Sequence, residues 1–198
     1  MTKELKQFLQ EKRTLIEREQ FYELYCAVSN KFKYSGSSYI RELSEFLINC
    51  DLDPLEYLPD VPTGYLNRSS ILQHVVIPDN VELVGRAAFM NSGIRSVTFH
   101  DTSKCTHIID YAFQDCDNLE TVILPPACEN ISVSAFRNCK YLQTVVIPTK
   151  SNRTYIASDA FDYCDNLTIY CNPGTTVEYY CIDKNINYKF IDPEKRKY

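Results

Sequence analysis

The chain has 198 residues, 44% of them apolar, 13% aromatic and 24% charged, with a net charge of −5. That balance excludes a disordered polymer, and the thin spread of charge (8 basic and 11 acidic side chains in residues 1–60, 13 and 15 thereafter) excludes a basic nucleic-acid reader. The opening "MTKELKQFLQEKRTLIEREQ" has no uninterrupted apolar stretch. It predicts neither signal peptide nor membrane span, and a cytoplasmic address.

Residues 1–58 show helical spacing and are expected to form an N-terminal helical domain or cap. Leu5, Phe8 and Leu9 suggest a first helix. A second starts at Thr14, where Glu17 completes a capping box, and carries Phe21, Leu24, Tyr25 and Val28 on one face. "KYSGSS" is a loop, after which Tyr39, Ile40, Leu43, Phe46, Leu47 and Cys50 mark a further amphipathic helix. In "DLDPLEYLPDVP", Asp53 is placed to cap, Pro54 to start and Glu56 to complete a second box.

From about residue 60 one pattern recurs five times, centred on Leu66, Phe89, Phe113, Phe136 and Phe161, at intervals of 23, 24, 23 and 25 residues. The clearest copies read "AFQDCDNLETVILP" and "AFRNCKYLQTVVIP". After the aromatic come Cys at +3, Leu at +6, Val at +9, an aliphatic at +11 and Pro at +12. A fixed period in this range is the mark of stacked repeats. Leu119, Val122 and Leu124, like Leu142, Val145 and Ile147, alternate as a short strand does, with Ile94, Val97 and Phe99 inward in a shortened copy and Leu167 and Ile169 in the last. Pro78, Pro125 and Pro148 lack the N–H needed to continue a ladder and should end the strands. Alanine before each Phe fits a tight turn whose ring plugs the space between coils. Successive strands should form one parallel sheet. "TTVEYYCIDKNINYKFI" reads as a helix from near Thr175 and a strand from about Tyr188 to Ile191 that close the stack, and residues 192–198 as a tail. The predicted fold class is therefore an α+β repeat solenoid over residues 59–191, with a helical N-terminal cap and a helix-strand C-terminal cap.

The unit "IIDYAFQDCDNLETVILP" resembles the BspA-type leucine-rich repeat. Gly85 alone keeps that consensus glycine, with Asp110, Val133 and Ser158 read at the matching places, which implies less regular turns there. The helical front followed by "DPLEYLPDVP" and such repeats is also similar to leucine-rich repeat proteins encoded by bacteriophages and prophages. The resemblance implies a non-enzymatic, protein-binding solenoid and, in a phage setting, a factor that engages a host or defence protein.

No catalytic constellation emerges. Five glycines leave no phosphate-cradling loop, and His74, His100 and His107 form no HExxH pair. Cys105 and His107 alternate across what reads as an inter-repeat loop and do not make a nucleophile and base. Cys116, Cys139 and Cys164 occupy one repeat slot 23 and 25 residues apart, too far for a CxxC metal pair, and read as buried thiols. No metal, cofactor, nucleic acid or membrane is expected. What remains is the outward side of the strands: His74 and Val76, Ser96 and Thr98, Thr121 and Ile123, Thr144 and Val146, Asn166 and Thr168. This uncharged, largely β-branched stripe suits either an ordinary strand surface or a protein partner. The front piece is read as a cap or as a second partner site anchored by Tyr22, Tyr25 or Tyr34. The leading expectation is a protein-interaction module; the alternatives are a self-associating or virion-associated structural protein and an acidic nucleic-acid mimic.

Overall fold

The computed structural model describes residues 38–49, 54–56 and 58–192. Helix α1, Ser38–Ile48, falls where the third stretch of helical spacing was read. The two earlier helices, the Asp53 cap, the tyrosines at 22, 25 and 34 and the tail from 193 lie outside the described residues. Pro54–Glu56 is a single 3-10 turn. Its Leu55 is buried in the main core, against which Ile48 also packs. The side-chain amide of Asn80 donates to the carbonyls of Leu55 and Leu58 at 2.9 and 2.6 Å, fastening this segment to the first coil.

The remainder is a right-through stack of coils built on two parallel sheets. Strands β1 (His74–Ile77), β3 (Ser96–Phe99), β5 (Thr121–Ile123), β7 (Thr144–Ile147), β9 (Thr168–Cys171) and β10 (Asn187–Phe190) form the larger sheet in that order. The smaller has β2 (Leu83–Val84), β4 (His107–Ile108), β6 (Asn130–Ile131) and β8 (Tyr155–Ile156). One sheet was expected; there are two. The aliphatic residue five places before each aromatic, as at Val84 and Ile108, supplies the second. His107 is thus a strand residue and not part of a loop.

Between the two sheets each coil makes two successive tight turns. Ala88, Ala112, Ala135 and Ala160 donate back to the carbonyls of Gly85, Ile109, Ser132 and Ala157, and Ser92, Cys116 and Cys164 to those of Phe89, Phe113 and Phe161. The third residue is left-handed in most of these turns: Ala87, Tyr111 and Ser134 in the first set, Asn91, Asp115 and Tyr163 in the second. A turn of this kind requires positive φ there, which after glycine Asn and Asp tolerate best. The amides between bonds run forward to the next coil: Ala87, Phe89 and Asn91 donate to Asp110, Ala112 and Gln114. The turns therefore belong to the same inter-coil ladder as the strands.

The inward residues anticipated from alternation are buried, Leu119, Val122, Leu142, Val145 and Ile147 among them. The rings of Phe89, Phe113, Phe136 and Phe161 form a column with centroids 5.1, 5.0 and 5.2 Å apart and planes within 5° of parallel. That spacing is close to the ~4.8 Å separation of paired strands; each ring meets its own image one coil on. Tyr65 and Tyr180 close the column edge-on at its two ends. At the C-terminal end helix α2 (Thr176–Lys184) lies against β8, its Thr176 hydroxyl donating to the Thr154 carbonyl at 2.9 Å, while β10 extends the larger sheet. Glu178 accepts the Gly174 amide at 2.7 Å, and Asn185, left-handed, ends the helix.

The ladder corrects one alignment. Gly85 donates to Val61, and the equivalent bonds run from Ile109, Ser132 and Ala157 to Val84, Ile108 and Ile131. Those three residues, not Asp110, Val133 and Ser158, occupy the glycine position, and the turns there keep the same hydrogen bonds. Only at Gly85 does the preceding backbone come so near that a Cβ would meet the Val61 carbonyl oxygen at 2.4 Å and Pro62 and Thr63 backbone at 2.8 Å. In one coil a side chain replaces a ladder carbonyl: Asp159 accepts both the amide and the hydroxyl of Ser134, at 3.2 and 2.6 Å. The hydroxyl bond foremost holds the Asp159 carboxyl below its usual range.

Three outcomes are expected. Phe113→Ala opens a void in the middle of the column and should lower unfolding free energy by ~3–5 kcal/mol, read from the urea midpoint. Gly85→Ala should cost about 1–3 kcal/mol by backbone displacement, whereas Ser132→Ala at the equivalent place should stay near wild type. Because the folded-state pKa of Asp159 is depressed, its contribution is complete above the unfolded carboxylate value of ~3.9 and is lost as pH falls through the folded value. Asp159→Asn should therefore flatten that part of the acid limb in thermal midpoints measured against pH.

Candidate functional site

Alternation along the six short strands sends one side chain set into the core and the other onto the open face of the larger sheet. The register assembles the second set into two rows. One runs His74, Ser96, Thr121, Thr144, Thr168 and Asn187; the other runs Val76, Thr98, Ile123, Val146, Tyr170 and Lys189. His74 Nδ1 and the Ser96 hydroxyl lie 2.8 Å apart across the first pair of strands. No Asp, Glu, Lys or Arg side chain interrupts either row before Lys189, whose ammonium sits 5.9 Å from the Tyr170 ring centroid.

Eight of the ten residues read as outward from the sequence lie on these rows and are at least partly accessible, Val76 at 52%. Two readings are corrected. Asn166 precedes β9 and is not part of the ladder. Alternation around the inward pair Leu167 and Ile169 makes Tyr170 the partner of Thr168, a signal present in "LTIYC" but hidden by the shortening of the last copy. Val146 is on the row, yet it is 0% exposed and stands outside the main core, flanked in register by Ile123 and Tyr170. Asn166 nevertheless borders the face: with Gln143, Thr144, Thr168 and Tyr170 it lines a shallow, mostly polar depression.

Two charged pairs line the flank where the strands begin. Arg95 pairs with Glu120 at 3.4 Å and Lys140 with Asp117 at 3.1 Å, each linking neighbouring coils. All four side chains are more than half exposed, so these pairs contribute little to stability. They do leave the face between them neutral.

The cysteines are structural in their surroundings. Cys116, Cys139 and Cys164 donate to the carbonyls of Phe89, Phe113 and Phe136 at 3.0, 3.2 and 3.1 Å. They form a buried thiol column beside the aromatic one. Burial pushes the Cys116 thiol up to about 11, and Cys139 is held well up by its hydrogen bond with the Cys164 thiol and by burial. Cys105 is buried too and is pushed up to about 12. Its thiol points to the His107 carbonyl at 3.7 Å, while the His107 ring meets the Thr106 hydroxyl at 2.8 Å. The two side chains do not form a nucleophile–base pair. Among the described residues no three His, Cys, Asp or Glu side chains gather in a metal-holding group, and no helix is long and apolar enough to cross a membrane.

No curated protein matches this chain. Two solved structures are similar in part. One is a leucine rich cell surface protein from Faecalibacterium prausnitzii, 23% identical with a TM-score of 0.48 over 63% of this chain. The other is the pneumococcal vaccine antigen PcpA, 10% identical with a TM-score of 0.42 over 66%. The chain spans 33% and 38% of their respective lengths. A sequence profile described as the BspA type leucine rich repeat region matches residues 61–189 in six copies. The chain therefore belongs to the BspA-type leucine-rich repeat family, an architecture of the protein-interaction scaffold kind.

Proposed function

We propose that this protein is a non-enzymatic binding module that engages a protein partner through the open face of its larger sheet. The observation that carries this reading is the absence of Asp, Glu, Lys and Arg from both outward rows over five neighbouring strands, His74 through Tyr170. A neutral face of hydroxyls and aliphatics can be desolvated without stranding a charge, which a protein contact requires of its centre. The charged pairs Arg95–Glu120 and Lys140–Asp117 stand beside it, in the position of a polar rim. The high pKa of the buried Cys105 thiol supports the non-catalytic part of the reading, since the thiolate is the nucleophilic form.

The finer part of the proposal is a cytoplasmic, phage-encoded factor acting on a host or defence protein. It rests on the likeness of the N-terminal sequence and repeats to phage and prophage proteins. Affinity capture from the native host with the intact chain tests both parts together.

Ile123→Asp and Val76→Asp should abolish capture of that partner while the thermal midpoint moves little, because both side chains are accessible. Val146→Asp should instead unfold or strongly destabilise the chain, by placing an unpaired carboxylate where no water reaches. Capture that survives both accessible substitutions would falsify the sheet-face reading.

A further inference from the structure

Cysteines of the stack stand one above another. Cys116, Cys139 and Cys164 fill one slot of three successive coils, and each thiol meets the carbonyl of the phenylalanine one coil back, at 3.0, 3.2 and 3.1 Å. Cys105 and Cys128 form a second vertical pair, their thiols turned to the carbonyls of His107 and Asn130, which are partners in register. The first column is graded. Cys116 and Cys139 are fully buried, whereas Cys164, its last member, is 9% exposed; Cys105 and Cys128 are closed off at 0% and 1%.

Cys116 has the Ser92 hydroxyl 3.5 Å from its sulfur. Cys139 and Cys164 are instead hydrogen-bonded to each other. Three residues before them, the rings of Phe136 and Phe161 lie 5.2 Å apart. A coil spacing of that size falls within the roughly 4.4–6.8 Å between Cα atoms that a disulfide spans. We infer that Cys164 and Cys139 are a peroxide-oxidisable pair that closes to a disulfide between adjacent coils, with Cys164 the attacking thiol and Cys139 the resolving one.

The two thiols differ as this chemistry needs. Once Cys164 is ionised, Cys139 donates to it, and that bond foremost lowers the Cys164 thiol and raises that of Cys139; burial and the carboxylates of Asp165 and Asp162 oppose the lowering without cancelling it. The thiolate is the nucleophile. Its sulfur attacks one oxygen of hydrogen peroxide: the S–O bond forms as the O–O bond breaks, and the departing hydroxide takes up the proton that Cys164 released. The Cys139 sulfur then displaces hydroxide from the Cys164 sulfenic acid, S–S replacing S–O, and the Cys139 proton leaves with that hydroxide as the second water. The sulfur pair gives up two electrons and the peroxide is reduced to two waters. The resulting bridge adds a covalent link to coils otherwise held by the ladder and packing.

The native full chain, treated with a moderate excess of hydrogen peroxide and then unfolded, alkylated and digested without reductant, should yield a cross-linked peptide joining Cys139 to Cys164. Cys105 and Cys128 should still be alkylated, and dithiothreitol should restore both bridged thiols. Cys139→Ala should stop the reaction at a Cys164 sulfenic acid that dimedone traps, and Cys116→Ala should leave the cross-link in place. Should either variant fail to fold, the wild-type chain carries the test alone: a brief peroxide pulse with dimedone present should label Cys164 ahead of Cys105, Cys116, Cys128 and Cys139. A Cys105–Cys128 link forming as fast, a Cys139–Cys164 link forming only in urea, dimedone on Cys139 ahead of Cys164, or both thiols left free by peroxide would each overturn the proposal.

Discussion

Everything in this molecule depends on the hydrogen bonds between one coil and the next. Amides of both turns donate to the equivalent region one repeat later, and amides of the strand regions donate both to the coil before and to the coil after, so the coils are held at the ~4.8 Å spacing of paired strands around most of their circumference. That constraint acts on side chains as strictly as on backbone. Each residue must tolerate its own counterpart directly above and below it. Parallel phenylalanine rings satisfy this by stacking at 5.0–5.2 Å, and thiols do so by donating to the previous coil's carbonyl. A charged column would not, and inside the stack there is none.

The same constraint explains which departures from the repeat are tolerated. At the consensus glycine position, Ile109, Ser132 and Ala157 fit because the neighbouring coil stands at regular distance. Gly85 cannot be replaced without displacement because the irregular segment Val61–Thr63 crosses close by. Asp159 takes the place of a backbone acceptor toward Ser134, so a coil whose interval is longer than the others keeps the ladder closed. Variation is admitted where the ladder is still satisfied, by backbone or by a side chain acting for it.

Function is then left to the surfaces that the ladder does not fill. The open face of the larger sheet repeats β-branched and hydroxyl residues with no Asp, Glu, Lys or Arg before Lys189, while the coil flanks carry charged pairs. The two ends of the described stack are finished differently. At the first coil Leu55, Leu58, Val61 and Tyr65 are buried; at the last, α2 buries its own Val177 and Cys181 against the core while Phe190 stays half exposed.

The sequence by itself determined the repeat, its period, the inward residues and the closing helix and strand, because each is a local alternation or spacing repeated often enough to be unmistakable. The buried fate of the cysteines was legible for the same reason. What only the tertiary structure decided is where one coil lies on another. The second sheet contributes only two residues per coil, too few for a periodic signal. The assignment of the glycine position shifted by one because register is set by inter-coil hydrogen bonds and not by counting from a neighbouring aliphatic. Val146 reads as accessible by alternation, yet it is buried, with Ile123 and Tyr170 of adjacent coils beside it in register. Tyr170 itself was recoverable from "LTIYC", but only pairing with β7 and β10 places it between Val146 and Lys189. Local pattern fixes which way a side chain points; only the packing of coils fixes what it meets.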